Sequence, residues 1–250
     1  RHRKRVSETR TRNRRYVGDS GQILNLDEEP LGIHQAGRQV DADVQGYVRI
    51  VGEDGTLQYD PWKDHGEILP MIDILNGLGQ FGPQCREIGM NCLADGQDAS
   101  YYFAQPRPLD TGRIYAAVGT LATETDNATY VGLSVNDASL LKGALNVDDT
   151  KLKGSASSYH SEVLSPATLE KFFVHFFARD CAAIADLTDG ECTTVTTDMI
   201  PHADDDDAPG DRDLHGMFSI AVRAYVKRES ERGPDPAWQL PPRRLTFSYE

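Results

Sequence analysis

The stretch EKFFVHFFARD, residues 170–180, has the pattern of a β-strand and indicates the class of fold. It is rich in aromatic side chains, which suit a pleated, half-buried surface. Successive side chains of a strand point to opposite faces of a sheet. The pattern therefore predicts one face with Phe173, His175 and Phe177, and an opposite face with Phe172, Val174 and Phe176.

Five other runs after residue 100 share this composition, and each is bounded by Gly, Pro, Asp or Asn. They are YYFAQPRPLD (101–110), GRIYAAVGTLA (112–122), ATYVGLSVN (128–136), FSIAVRAYVKR (218–228) and PRRLTFSYE (242–250). Strands do not alternate with helices along the chain. The pattern predicts a mostly β protein, an antiparallel β-sandwich similar to a jelly roll, with long loops at residues 181–199 and 201–216.

The sequence before residue 100 adds a hairpin and one helix to this prediction. Apolar and polar residues alternate within residues 23–60, and GEDG is a turn signal between strands at Val44–Gly52 and Gly55–Tyr59. Apolar residues recur near helical spacing after Pro70, which predicts a short helix over residues 70–78. We expect residues 23–250 to form a single β-sandwich domain.

The charge of the chain is divided unevenly between an N-terminal arm and the remainder. The 250 residues carry a formal net charge of −13. Residues 1–15 have a charge of +7, which leaves 18 Lys and Arg against 38 Asp and Glu, or −20, in residues 16–250. Residues 1–22 are interpreted as a flexible, partner-binding arm. Its basic residues are Arg1, Arg3, Lys4, Arg5, Arg10, Arg12, Arg14 and Arg15.

This division of charge suggests what the arm binds. A body at −20 repels phosphate backbones, which disfavours nucleic acid, but it attracts a neighbour's basic arm, which favours a homo-oligomer or filament. Alternatively, the R-x-R-R form of residues 12–15 is a cleavage site for a dibasic-cleaving protease, or the arm is a tail with no partner. No apolar run approaches the roughly 18 residues that a membrane helix needs.

Four cysteines and one glycosylation sequon indicate in which cellular compartment the protein resides. Three disulfide pairings are possible, and the sequence-local one joins Cys85 to Cys92 and Cys181 to Cys192. Four free thiols are the alternative, whereas the spacings do not suit zinc. Asn127 begins the sequon Asn-Ala-Thr and is the predicted glycosylation site. Together these features favour a secreted or extracellular protein, or a periplasmic one.

The order of several short motifs resembles a family of secreted bacterial β-sandwich domains of unknown function. The motifs are DASYYFAQPRPLDTGRIYAAVG, ATYVGLSV, NVDDTKL, FFARD, FSIAVRAY and WQLPPRRL, and they cover about residues 98–247. Such domains often form the C-terminal half of two-domain exported proteins. The basic arm, the cysteines and the missing partner domain depart from that pattern. The resemblance implies a sandwich fold and export, and no catalytic residues.

Few residues of the sequence suggest catalysis or metal binding. The acidic loop at residues 201–216 offers hard oxygen ligands, which suit calcium, and calcium is the one cofactor that the sequence suggests. The candidate ligands are Asp204, Asp205, Asp206, Asp207, Asp211 and Asp213. Their spacing fails the EF-hand template, and a solvated loop without a metal ion is the alternative. His202 and His215 flank this loop. His175 suits a core position better than acid–base catalysis, for which it needs a carboxylate partner. GDSG at residues 18–21 lacks a preceding His and Asp and is not a protease motif.

Three functions fit these features. The favoured one is a secreted, non-enzymatic structural or interaction protein that self-associates through its arm. The second is an extracellular enzyme or a ligand-binding sandwich, for which Trp62, Trp238, Tyr101 and Tyr102 are a candidate carbohydrate platform or core residues. The third is a capsid-like protein with an arm that binds nucleic acid.

Overall fold

Two five-stranded β-sheets form the framework of the protein. The computed structural model describes residues 36–44, 57–59, 99–159, 164–205, 207–227, 229–230, 233–235, 238–239 and 242–249. The basic arm, the predicted helix at 70–78, Trp62, Cys85 and Cys92 lie outside these residues. The predictions that concern them therefore stay predictions.

The first sheet contains β1 (Leu57–Tyr59), β4 (Arg113–Thr120), β7 (Phe172–Ala178), β8 (Cys192–Thr194) and β10 (Arg243–Tyr249). Its strand order is β1–β10–β4–β7–β8, and only the β7–β8 pair is parallel among the described pairs. The second sheet contains β2 (Ala99–Phe103), β3 (Arg107–Pro108), β5 (Tyr130–Asp137), β6 (Lys142–Asp148) and β9 (Met217–Tyr225). Its order is β2–β9–β5–β6, and β3 also pairs with β9. The prediction of a mostly β, sandwich-like fold is confirmed.

Four short α-helical segments accompany the sheets in the described residues. They are α1 (residues 36–44), α2 (Asp149–Leu152), α3 (Pro166–Leu169) and α4 (Ala185–Thr188). Side chains that accept backbone N–H groups explain where two of them begin. Asp148 accepts from Thr150 N at 3.1 Å before α2, and Ser165 accepts from Thr168 N at 3.1 Å before α3. None of these segments was predicted from the sequence.

The first core lies between the sheets. Tyr115, Phe173 and Phe177 point inward from the first sheet, and Phe218 and Val222 point inward from the second. The Tyr115 hydroxyl donates to Pro108 O at 2.6 Å, so its polar end is satisfied in the core. Burying one such aromatic side chain contributes roughly 1.5–3 kcal/mol. The predicted alternation of residues 172–177 is confirmed.

A second core covers the other face of the first sheet. Phe172, Val174 and Phe176 point outward from β7 and pack in one cluster with Val40 and Val44 of α1. Strand β7 is therefore buried on both faces. This explains why residues 172–178 are apolar almost throughout and wholly buried.

The predicted hairpin is corrected in part. Val44 belongs to α1, so the first strand does not begin there. Ala36, Val40 and Val44 recur every fourth residue, and this helical spacing places all three on the buried side of α1. Leu57–Tyr59 is a strand, as predicted, and it pairs with β10.

Candidate functional site

The acidic segment, which we define as residues 180–213, is the largest concentration of like charge in the described structure. It holds eleven carboxylates and one basic residue, Arg212, and has a formal charge of −10. Of its ten described carboxylate residues nine are exposed, and Glu191 is half-buried. The exposed residues are Asp180, Asp186, Asp189, Asp198, Asp204, Asp205, Asp207, Asp211 and Asp213.

Arg179 anchors this segment to the sandwich. Its guanidinium donates to three carbonyl groups, those of Leu109 at 3.0 Å, Val195 at 3.1 Å and Pro201 at 3.3 Å. A second anchor lies further along, where Asp211 N donates to Ser139 O at 3.1 Å. These bonds fix both ends of the acidic loop, so its carboxylates occupy defined positions on the surface.

Two of the described carboxylates of the acidic loop, those of Asp205 and Asp211, accept bonds within local turns. Asp205 Oδ1 accepts from Asp207 N at 3.2 Å, and Asp211 Oδ1 accepts from Asp213 N at 3.1 Å. Asp206 lies outside the described residues. Among the described residues, no three His, Cys, Asp or Glu side chains are grouped so as to hold a metal ion. Calcium binding by this loop stays a prediction without structural support.

The predicted glycosylation site, Asn127, is buried. Only 2% of its surface is exposed. Its Nδ2 donates to Asp235 O at 2.9 Å, and its Oδ1 accepts from Asp235 N at 2.8 Å. A glycan would replace one of the two Nδ2 hydrogens of a side chain that is almost completely buried. The geometry therefore argues against glycosylation, and it assigns Asn127 the role of fixing the backbone at residue 235.

Cys181 and Cys192 form the disulfide that their spacing predicts, with Cα atoms 5.7 Å apart. The bridge closes the loop that contains α4, and both cysteines pack against the outer core of the first sheet. It joins the segment that follows β7 to the start of β8, which pairs in parallel with β7 and is the last described strand of the first sheet.

His175 lies on the inner face of the first sheet and has no exposed surface. Its Nε2 is 2.8 Å from Thr193 Oγ1, and its Nδ1 is 3.6 Å from Glu191 Oε2. Burial lowers the pKa of His175, and the bond with Glu191 opposes this effect only in part. The residue is therefore neutral near pH 7 and held by one hydroxyl. This arrangement agrees with a core histidine.

The outward face of the second sheet bears an aromatic cluster, which we name the tyrosine–arginine face: Tyr101, Tyr130, Asn146, Arg223 and Tyr225. The register places Tyr101 opposite Arg223 and Tyr130 opposite Tyr225. The Arg223 guanidinium lies 4.8 Å from the Tyr101 ring centre and 5.5 Å from that of Tyr225. Such exposed cation–π contacts contribute roughly 0.5–1 kcal/mol each and hold the rings in place.

Gly132 allows the Tyr130 ring to lie along the sheet. A Cβ at position 132 would be 2.8 Å from Tyr130 Oη and 3.0 Å from Asn146 Oδ1. Asn146 Nδ2 donates to that same hydroxyl at 3.0 Å. Ser134 and Ala221, which pair in the next row of the sheet, have small side chains. The result is a shallow surface with tyrosine rings on one side and an amide on the other.

Three of the four residues predicted as a carbohydrate platform are described, and they do not come together, whereas Trp62 lies outside the described residues. Tyr101 is on the tyrosine–arginine face, but its neighbour Tyr102 points into the core between the sheets. Trp238 packs against the opposite core, on the outer face of the first sheet. The sequence analysis missed Tyr130, Tyr225 and Arg223, whose signal is the alternation within the two strands that carry them.

Comparison with known proteins gives no relative for this chain. No protein-family profile matches it, and no curated protein or solved structure is significantly similar to it. The resemblance to secreted sandwich domains therefore stays a prediction. No helix in the described residues is long and apolar enough to cross a membrane.

Proposed function

We propose that the protein is an exported, non-enzymatic interaction protein that self-associates when the basic arm of one chain binds the acidic segment of another. The exposure of the carboxylates at residues 180–213 is the observation that supports this function. Opposite charges of +7 and −10 reside in separate parts of one sequence. Each chain therefore carries both halves of a contact that is able to repeat.

The number of charges matters more than any single pair. Exposed ion pairs contribute about 1 kcal/mol or less, so several must form together. The fifteen basic-arm residues span at most roughly 50 Å when extended, which is enough to reach a neighbouring molecule. A head-to-tail contact of this kind gives a ring if its rotation closes and a filament if it does not.

Export is supported by the Cys181–Cys192 disulfide, because such bonds persist in oxidising compartments. Together with the sandwich fold, it is consistent with an extracellular or periplasmic interaction domain. The disulfide also holds the start of the acidic segment against the first sheet when the arm of a partner binds there.

Sedimentation velocity of the full chain at low and high salt tests this function. We expect assembly at low salt, dissociation as salt screens the charges, and monomers at both salt concentrations after deletion of residues 1–15. Asp198→Asn/Asp204→Asn/Asp207→Asn should weaken assembly from the acidic side. The matched control Asp126→Asn/Glu170→Gln/Glu229→Gln removes three exposed carboxylates outside both parts and should leave assembly unchanged. Assembly of the truncated chain at low salt would show the proposal to be wrong.

A further inference from the structure

We propose that the tyrosine–arginine face binds a neutral, β-linked oligosaccharide. This ligand-binding role is distinct from self-association, because none of the five residues of the face belongs to the acidic segment. The face consists of side chains from four neighbouring strands and is not used by the core between the sheets; among its residues Asn146 and Arg223 are exposed, and the three tyrosines are half-buried.

The chemistry of the face matches that of a sugar ring. A pyranose presents patches of C–H groups beside hydroxyl groups, so a matching surface needs aromatic rings flanked by hydrogen-bonding groups. Tyr130 and Tyr225, whose ring centres are 5.8 Å apart, supply the aromatic surface. Tyrosine hydroxyls, the Asn146 amide and the Arg223 guanidinium supply donors and acceptors around it.

The shape of the face favours an extended ligand. Adjacent strands are about 4.8 Å apart, so the four strands from β2 to β6 span roughly 14 Å. The Tyr130 ring and the Asn146 amide lie over Gly132 in the middle of this span, and the Tyr225 ring is tilted by 51° from that of Tyr130. A ligand lying across the strands therefore contacts the face with more than one sugar ring. The equatorial 1,4 bonds of a β-linked glucan such as cellohexaose keep successive rings in an extended ribbon, whereas the 1,3 bonds of laminarihexaose give a more curved chain.

The charge of the face favours a neutral ligand. One row of the sheet runs from Tyr101 through Arg223 and Gly132 to Asp148, and thus contains one cation and one anion. The guanidinium already contacts two tyrosine rings. The protein as a whole is at −13, which repels a polyanion. An acidic polysaccharide is therefore disfavoured.

Isothermal titration of the full chain with laminarihexaose and cellohexaose tests the proposal. We expect at least one to bind, and we expect Tyr130→Ala and Tyr225→Ala each to weaken that binding about ten-fold. Tyr130→Phe, which keeps the ring, should retain most of the affinity. The control Leu141→Ala removes an 89% exposed side chain at the β5–β6 turn and should change nothing.

Three results would overturn the proposal. They are the absence of binding by either hexasaccharide, equal binding by the wild type and both alanine variants, and tighter binding of an oligogalacturonate than of the neutral sugars. Thermal unfolding of each variant shows whether it is folded, and Tyr130→Leu replaces Tyr130→Ala if the latter is not. Titrations are done at the salt concentration where the chain is monomeric, which separates this result from the test of self-association.

Discussion

The side-chain amide of Asn127 forms both of its hydrogen bonds with the backbone of a single residue, Asp235. The donor bond is 2.9 Å long and the acceptor bond 2.8 Å. This pairing imitates one rung of a β-ladder across 108 residues of sequence. It attaches the segment before β10 to the turn before β5, at one end of the sandwich.

Replacing Asn127 by alanine should destabilise the protein by about 2 kcal/mol or more, because a half-buried peptide group at residue 235 loses both partners. Chemical denaturation measures this loss. Asn127→Asp should also destabilise, since a carboxylate oxygen would face the Asp235 carbonyl.

Thr129→Ala is the matched control, because it destroys the sequon while leaving Asn127 in place. Thr129 is exposed, and its hydroxyl makes only a long 3.4 Å contact with Tyr225 O. We expect little change in stability, and no glycan mass on either the wild type or the variant when each is secreted from a eukaryotic host. A loss of glycan mass in Thr129→Ala would contradict the structure at Asn127.

The sequence predicts the positions of the strands better than those of the helices. Each of the six runs contains a strand, because aromatic and β-branched residues between turn signals report a backbone that is extended and buried. Two strands were missed: β8 (Cys192–Thr194), which lies within the loop predicted at residues 181–199, and β6, which reads KGALNVD and has few such residues. Among the described strands β6 pairs with β5 alone, and it is mostly exposed or half-buried, so packing imposed little pattern on it.

The candidate sites depend on contacts that sequence does not contain. Asn127 matches a sequon, yet its use is decided by a partner 108 residues away. The tyrosine–arginine face is assembled from β2, β5, β6 and β9, and only their register brings Tyr101 to Arg223. The disulfide was predictable because its two cysteines are only eleven residues apart.

Thr193 is expected to be the main partner of His175. Thr193→Val removes the hydroxyl 2.8 Å from Nε2 and leaves a buried ring nitrogen without a partner, at a cost of about 1–3 kcal/mol. Denaturation at pH 8 measures this cost. Thr194→Val, at the exposed neighbouring position, should cost less, because its hydroxyl accepts a longer 3.3 Å bond from Cys181 N.

His175 should also make the protein less stable in mild acid. Burial lowers its pKa in the folded state below the ordinary 6.5, so the unfolded chain takes up the proton first. The free energy of unfolding therefore falls as pH drops below about 6.5, the ordinary value for histidine. The difference between the wild type and His175→Gln should shrink over this range. A difference that is constant from pH 8 to pH 5 would contradict a neutral, buried His175.

The Cys181–Cys192 disulfide should stabilise the protein by about 2–3 kcal/mol, the entropic effect of closing a short loop in the unfolded chain. Cys181→Ser/Cys192→Ser, compared with the wild type in urea, measures it. The control is Cys85→Ser/Cys92→Ser, which tests the second predicted pair. Peptide mapping without reduction should recover Cys181 joined to Cys192, and a link from either to Cys85 or Cys92 would show the assignment to be wrong.

The ion pair between Asp41 and Arg243 should make stability depend on pH in the direction opposite to that expected for His175. The carboxylate is buried in the contact between α1 and β10, and its Oδ2 lies 2.9 Å from Arg243 Nη1. Burial raises the pKa of Asp41 from 3.8 to about 7, and the attraction of Arg243 and Arg38 offsets only part of this effect. The folded protein therefore binds the proton more tightly than the unfolded chain does.

Stability from this group is accordingly present below about pH 4 and is lost as pH rises to about 7. At 1.36 kcal/mol per unit, the loss reaches about 4 kcal/mol. The free energy of unfolding of Asp41→Asn should change less over this range of pH than that of the wild type. Arg243→Leu should destabilise the protein strongly at pH 8 and weakly at pH 4. Urea denaturation at intervals from pH 4 to pH 8 makes the comparison, with Asp198→Asn, at an exposed position, as the control. Parallel profiles for the wild type and Asp41→Asn would mean that Asp41 titrates no differently in the folded protein than in the unfolded chain.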